Sequence, residues 1–515
     1  MGLFFVILVA ACAFPDYSTK GEPREALVAV EMLRSGNWIL PIDSSGDMAY
    51  KPPMFHWLVA IFSLPAGHVT EFSSRLPSAL ALLLMCAATW WFAARSDSRP
   101  HSSVRPMLTT LVMLTSFEVF RAGVNCRVDM LLCAFIVSAV YMLARGGTHL
   151  SGGCLKWQLA AVLLMSGAVL TKGPVGVIIP LGIWWTWGIL LRRDVSAPIW
   201  RLTLRAVWLG IAALILPAMW YLAAYNQGGE KFLRLAMEEN FGRMTGTMSY
   251  ASHVKPFWYN AVMIASGLIP WSALLLASLW WRPWKWMHRQ ALTPASAGHA
   301  SILPLKNVSR RELLCWIAVI FVLVFYTLPK SKRGVYLLPL YPFAASLIAD
   351  YVLLYASRFR KATSIAVKAG WIAFELYAIT YVAIWPLIVE QRSDRHVAVE
   401  IEKIAGTTPI YTYINSRMDR FYGVDFYLGV RMKALLPSGQ DCNRLNGGSY
   451  TPHMINMPAE NHFFIAIPAR DYEMQGAELK EYFNGCGYSI CKAWESQANT
   501  RDMRQPLILL KVNRL

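Results

Sequence analysis

About eleven apolar stretches, each near the length a lipid bilayer demands, dominate this chain and narrow what it can fold into. They lie near 2–14, 74–95, 104–120, 129–145, 157–171, 174–192, 203–224, 257–281, 312–328, 335–355 and 366–390. A spanning helix needs about 20 mostly apolar residues, and the Gly and Pro inside several runs (Pro217, Gly267, Pro270, Pro339, Pro342) are tolerated in membrane helices. Composition agrees: 16% of the 515 residues are charged, against about 25% in soluble domains. The formal net charge of +18 would point to nucleic acid in a soluble protein, but here the basic residues fall between apolar runs, as in membrane proteins. Disorder, a collagen-like chain and a disulfide-stapled mini-domain are excluded. The first run has no basic region before it and no clear cleavage site after it, so it reads as a retained anchor.

The basic residues also set an orientation. With the N-terminus inside, the inward gaps hold about 19 Lys and Arg in about 80 residues. The outward gaps hold about 14 in about 108, so basic density is about twice as high inside. Eleven crossings then put the C-terminus outside. The expected architecture is an α-helical polytopic membrane protein over 1–390, with about eleven or more transmembrane helices, and a soluble α/β domain over 391–515.

Two outward pieces are too long to be connectors. The first spans about 15–73. It contains GEPREALVAVEMLRSG, whose Ala26, Leu27, Val30 and Leu33 recur at helical spacing, and PPMFHWLVAIFSL; both read as amphipathic helices at the membrane surface. The second is the tail, where strand-like PIYTYI, HFFIAIP and LILLKV alternate with helical VAVEIEKIAG and GAELKEYF. Of nine Cys, six lie in or beside apolar runs and read as small core residues. Cys442, Cys486 and Cys491 lie in the tail, where a disulfide to Cys442 is open if the tail faces an oxidising compartment.

Ionisable residues collect on the outward side. The first loop offers Asp16, Lys20, Glu22, Arg24, Glu25, Glu31, Lys51 and His56. Outward turns add Arg121, Arg127 and Asp129, then Lys172, then Glu238, Glu239, Arg243, His253 and Lys255, then Lys330, Lys332, Arg333 and Tyr336. Taken singly, juxtamembrane cations usually reach to headgroups, and Asp129 equally fits the first turn of a helix. Gathered at one face, cations suit a lipid phosphate and a carboxylate beside them suits activation of a hydroxyl nucleophile.

The first loop, with KGEPREALVAVEMLRSGNWILP, then YKPPMFHWLVA and SSRLPSALAL, resembles the polyprenyl-phosphate-sugar transferases of the GT-C superfamily. It is most similar to the aminoarabinose lipid A transferases and the bacterial relatives of protein O-mannosyltransferases. RVDMLL, LTKGP, EENFGR, HVKPFWY, GLIPW and KRGVYLLPLYP follow in the family's order, so the resemblance covers roughly 1–390. It implies an enzyme of the bacterial inner membrane whose active site and tail face the periplasm. That enzyme takes a sugar from a polyprenyl-phosphate donor and passes it to lipid A, another glycan or a protein. Gly21 stands where the family has its catalytic Asp, so the role is expected of Glu22, with Asp16 in reserve. Asp129 matches the second family carboxylate. Lys51, Arg127, Lys332, Arg333 and Tyr336 are the expected donor-phosphate ligands. Arg24, His56, Lys172, Arg243 and His253 are further candidate substrate contacts. Tyr50 replaces a Glu that relatives use with a His for a metal, leaving His253 as a weak candidate ligand, and no cofactor is expected.

The implied reaction is a single inverting displacement. The phosphate leaves under its cations, and the acceptor hydroxyl attacks from the opposite face while Glu22 receives or aligns its proton. Nucleic acid is not expected as a partner. A lipid or sugar transporter would place its charges near the bilayer midplane, often in paired halves, and no repeat between halves is evident. A catalytically silent relative is the other alternative, on account of Gly21.

Overall fold

The computed structural model describes residues 2–43, 46–95, 104–147, 155–191, 198–242, 254–276, 309–356, 361–390, 393–414, 420–436, 451–497, 500 and 504–515. In chain order its helices are α1 (Gly2–Ala13), α2 (Gly21–Ser35), α3 (Met54–Ser63), α4 (Glu71–Arg95), α5 (Val104–Leu114), α6 (Phe117–Gly123), α7 (Val128–Gly146), α8 (Leu155–Lys172), α9 (Val175–Leu191) and α10 (Ile199–Met237). There follow α11 (Tyr259–Gly267), α12 (Arg310–Thr327), α13 (Tyr341–Ala356), α14 (Ala362–Ile379), α15 (Trp385–Glu390), α16 (Asp394–Ala405), α17 (Tyr422–Tyr427) and α18 (Ala469–Gly485). Helix occupies part or all of each expected apolar window. Among the described residues, five stretches are long and apolar enough to cross a membrane: Glu71–Arg95, Val128–Gly146, Ile199–Asn240, Gly334–Leu354 and Thr363–Ala405. Shorter apolar helices accompany them, and the protein is a multi-pass membrane protein.

The chain divides into two compact units. One comprises Met1–Pro77, Ala223–Leu235 and Thr380–Leu515; the other comprises Ser78–Leu222 and Ala236–Ile379. In the second unit α7 is buried along most of its length, because small and branched residues (Ala134, Ile136, Val137, Ala139, Val140) leave room for neighbours on every side. Its Tyr141 stacks on Phe92 with ring centroids 4.2 Å apart and meets Phe343 at 5.4 Å. By contrast α10 leaves Ile211, Ile215, Met219 and Leu222 about half or more exposed, an apolar face that only lipid would cover favourably.

In the first unit the tail forms a five-stranded sheet of order β2-β1-β3-β5-β4, from β1 (Ile410–Thr412), β2 (Met432–Ala434), β3 (His462–Pro468), β4 (Tyr488–Glu495) and β5 (Leu507–Arg514). β1 runs parallel to β2 and β3, while β5 is antiparallel to β3 and β4. The expected strands and helices of the tail are present, and the α/β character holds. The sheet is covered on both faces. Phe463, Ile465 and Ile467 point to a core closed by Leu479 and Phe483 of α18, and Phe464 and Ala466 point to one closed by Val397 and Ile401 of α16. Cys486 and Cys491 are free, exposed thiols, and Cys442 lies outside the described residues.

This unit unites the tail with the first loop. Arg420 reaches the carboxylates of both Asp43 and Asp47, while Arg395 contacts Asp16 and Glu71 and lies over the Tyr427 ring, 4.5 Å from its centroid. The backbone N–H of Tyr17 donates to the Tyr427 hydroxyl at 3.0 Å. Burial alone would lower the Arg420 pKa, but Asp43 and Asp47 outweigh it and drive the value up, so its charge is secure. Arg420→Ala should therefore free the 36–53 stretch. Limited proteolysis of the solubilised protein should cut there several-fold faster, and an unchanged cleavage rate would show that the ion pairs do not hold the loop.

Candidate functional site

The segment that leads into α2 is held by a side chain from the first turn of the helix. Glu22 Oε2 accepts from the backbone N–H groups of Ser18 (2.9 Å) and Thr19 (3.2 Å) and from the Ser18 hydroxyl (3.1 Å). Oε1 accepts from Arg75 Nε at 2.8 Å. Arg75 in turn donates to the carbonyls of Cys12, Pro15 and Asp16. Glu22 is 0% exposed and Arg75 1%. Both carboxylate oxygens are spent on tying the end of α1 and the start of α2 to α4. Glu22, expected from sequence to activate the acceptor, is thereby enclosed in the fold with both carboxylate oxygens hydrogen-bonded. The reserve candidate Asp16 is taken up by Arg395. The helix ends at Gly36, whose φ of 71° only glycine adopts freely and whose N–H closes on the Met32 carbonyl.

Four residues after Gly21, on the same face of α2, stands the carboxylate that does gather a site. Glu25 Oε1 meets Lys51 Nζ and Arg24 (3.2 Å), and Oε2 meets His56 Nε2 at 3.0 Å. Burial opposes ionisation of Glu25, but Lys51, the His56 hydrogen bond and Arg24 outweigh it and hold the carboxyl well below its ordinary pKa. Lys51 precedes the double Pro that starts α3, and His56 lies in the first turn of that helix, so the KPPMFH run delivers both side chains to one carboxylate. The sequence had offered Glu25 only as one of many ionisable residues. Its signal was the i,i+4 relation to Gly21.

The second unit holds its own cluster. Asp129, in the first turn of α7, contacts Lys172 at the end of α8. The Lys172 ammonium lies 4.2 Å from the centroid of the Tyr336 ring, a cation–π contact. The turn after Lys172 needs glycine: Gly173 has φ 80°, and a Cβ there would come within 2.2 Å of the Asn240 side-chain oxygen. Lys332 is 5% exposed, and its ammonium donates to the carbonyls of Pro329 (2.7 Å) and Lys255 (3.3 Å); among the described residues it forms no ion pair. Arg127, the residue capping α7, keeps a buried Nε with no partner among the described residues. Arg333 precedes the 3-10 turn that carries Tyr336. Arg243 and His253 lie outside the described residues. No group of three or more His, Cys, Asp or Glu able to hold a metal occurs among the described residues.

Residues 26–228 match the family model described as dolichyl-phosphate-mannose-protein mannosyltransferase. The chain is 28% identical over 377 residues to undecaprenyl phosphate-alpha-4-amino-4-deoxy-L-arabinose arabinosyl transferase 2 of Proteus mirabilis, covering 70% of this chain and 60% of that protein. It is 26% identical over 378 residues to the arabinosyl transferase of Erwinia tasmaniensis, again spanning about 60% of its relative's length (62%). In fold it is similar to ArnT from Cupriavidus metallidurans, solved with undecaprenyl phosphate, with a TM-score of 0.68 at 17% identity over 99% of this chain and 96% of that one. The archaeal oligosaccharyltransferase AglB from Archaeoglobus fulgidus gives a TM-score of 0.52 at 12% identity, over 93% and 70% of the two chains. The chain is thus similar in sequence to polyprenyl-phosphate-sugar glycosyltransferases and similar in fold to ArnT.

Proposed function

We propose that this glycosyltransferase draws its sugar from a polyprenyl-phosphate donor and delivers it, at the outer face of a bacterial inner membrane, to the hydroxyl or phosphate of an envelope acceptor, with lipid A the first to test. The observation that carries the donor assignment is a buried ammonium, Lys332, whose partners among the described residues are carbonyl oxygens. A cation buried without a counter-charge is costly, and a phosphate that docks on it removes the cost. Arg127, whose Nε is unpaired among the described residues, Arg333 and the Tyr336 hydroxyl are assigned to the same headgroup. Asp129 keeps Lys172 in place over Tyr336. The outward placement of the site and of the tail rests on the basic density of the opposite gaps.

Displacement at the anomeric carbon with the polyprenyl phosphate as leaving group inverts the configuration. Electrostatic neutralisation of the leaving oxygen is the largest contribution that such a site can make. The relatives' printed substrate, an undecaprenyl-phosphate aminoarabinose, is the first donor to try. The purified chain, given that donor and lipid A, should add the corresponding mass to lipid A, and deleting the gene should remove that mass from the cell envelope. Transfer from a free nucleotide sugar, with none from the lipid-linked donor, would overturn the reading.

A further inference from the structure

The first unit contains a buried basic nitrogen to which the proposed function gives no part. His56 is 1% exposed; its Nε2 meets Glu25 at 3.0 Å, and its Nδ1 is buried with no partner among the described residues. A buried polar atom left unsatisfied costs about 1–3 kcal/mol, and native proteins keep such atoms mainly where function or a bound group requires them. Its partner fixes which ring nitrogen carries the proton. Glu25 is held ionised by Lys51 and Arg24, and an ionised carboxylate only accepts hydrogen bonds. The proton of the neutral ring therefore sits on Nε2, and the lone pair is on Nδ1. A carboxylate that orients a histidine so that its other nitrogen faces the reaction is the general-base arrangement of nucleophilic catalysis. Lys51 and Arg24, with side chains 21% and 33% exposed, open the cluster to solvent.

We infer that His56, oriented by Glu25, is the base that takes the acceptor's proton. The inference rests on the glycosyl transfer proposed above and assigns its missing step. As an acceptor hydroxyl oxygen forms its bond to the anomeric carbon, its proton passes to Nδ1 of His56. The bond from that carbon to the phosphate oxygen breaks, and the electron pair leaves on the polyprenyl phosphate. The imidazolium is stabilised by Glu25 and returns its proton to solvent after the product departs. Glu25, whose oxygens are all engaged by cations and by the ring, is a positioning residue in this scheme.

The test uses the full chain in lipid nanodiscs. Undecaprenyl phosphate is the binding probe, and release of undecaprenyl phosphate from undecaprenyl-phosphate aminoarabinose in the presence of lipid A is the rate. Glutamine at position 56 can still donate to Glu25 but offers no basic nitrogen. His56→Gln should bind the probe within about threefold of wild type and keep its KM, while turnover falls about 10²–10⁴-fold, the usual worth of a general base. If this variant does not fold, His56→Asn is read in the same way. Turnover within threefold of wild type would overturn the assignment. So would loss of binding and turnover together, which would make His56 part of the scaffold. A wild-type protein that neither binds the probe nor releases it from the donor would instead sink the proposed function and leave the dyad without a reaction.

Discussion

Glu22→Gln is expected to destabilise the folded protein by about 3–5 kcal/mol. The pair that it breaks is the most enclosed in the first unit, with Arg75 bonded to Glu22 and to three carbonyls inside the fold. Removing one charge leaves the guanidinium desolvated and uncompensated, and this is the circumstance in which a buried ion pair matters most. Arg75→Lys should cost nearly as much, since an ammonium cannot reproduce four donations in the plane of one fork. Arg75 lies 5.3 Å from the Tyr17 ring centroid, and the Tyr17 and Ser74 hydroxyls share a hydrogen bond of 2.8 Å, so the damage should reach the start of the first loop. Thermal melting of the detergent-solubilised protein is the measurement, and a fall on the order of 5–10 °C is expected. A variant that melts like wild type and yet transfers no sugar would give Glu22 to the chemistry and not to the scaffold.

How far the sequence anticipates this division of labour depends on the distance over which each role is set. The membrane helices were legible because a run such as 129–145 needs no partner to declare itself, and the sheet strands β1, β3 and β5 were legible from their β-branched and aromatic runs. β2 is only three residues long, and β4 exposes Cys491, Lys492 and Ala493 in succession, so neither carries a hydrophobic pattern. The run at 104–120 looked continuous, but the chain turns at Thr115 and Ser116, whose hydroxyls bond back to Leu111 and Val112 and interrupt the helix. The roles of Glu22 and Glu25 were not legible at all. They depend on Arg75, 53 residues away, and on Lys51 and His56, 26 and 31 residues away, and a motif read along the chain weighs the two glutamates by their neighbours in sequence alone.

Lys332→Met offers the sharpest contrast with Glu22→Gln, because stability and ligand binding should move in opposite directions. The ammonium of Lys332 is buried against two carbonyl oxygens, which recover only part of the hydration that it gives up. Methionine keeps most of the stem's packing and removes the charge, so the unliganded protein should melt at the same temperature or a few degrees higher. Binding should behave otherwise. A charge-assisted bond to phosphate contributes about 1.5–3 kcal/mol, and its loss should weaken undecaprenyl phosphate binding by roughly 10–100-fold. The ligand should raise the melting temperature of wild type, through mass action on the folded state, and barely move that of the variant. Groups kept at a cost in stability are the ones expected at functional sites. A Lys332→Met protein that is less stable than wild type, or that binds the lipid phosphate equally well, would show that the ammonium serves the turn between Lys255 and Pro329 and not a donor.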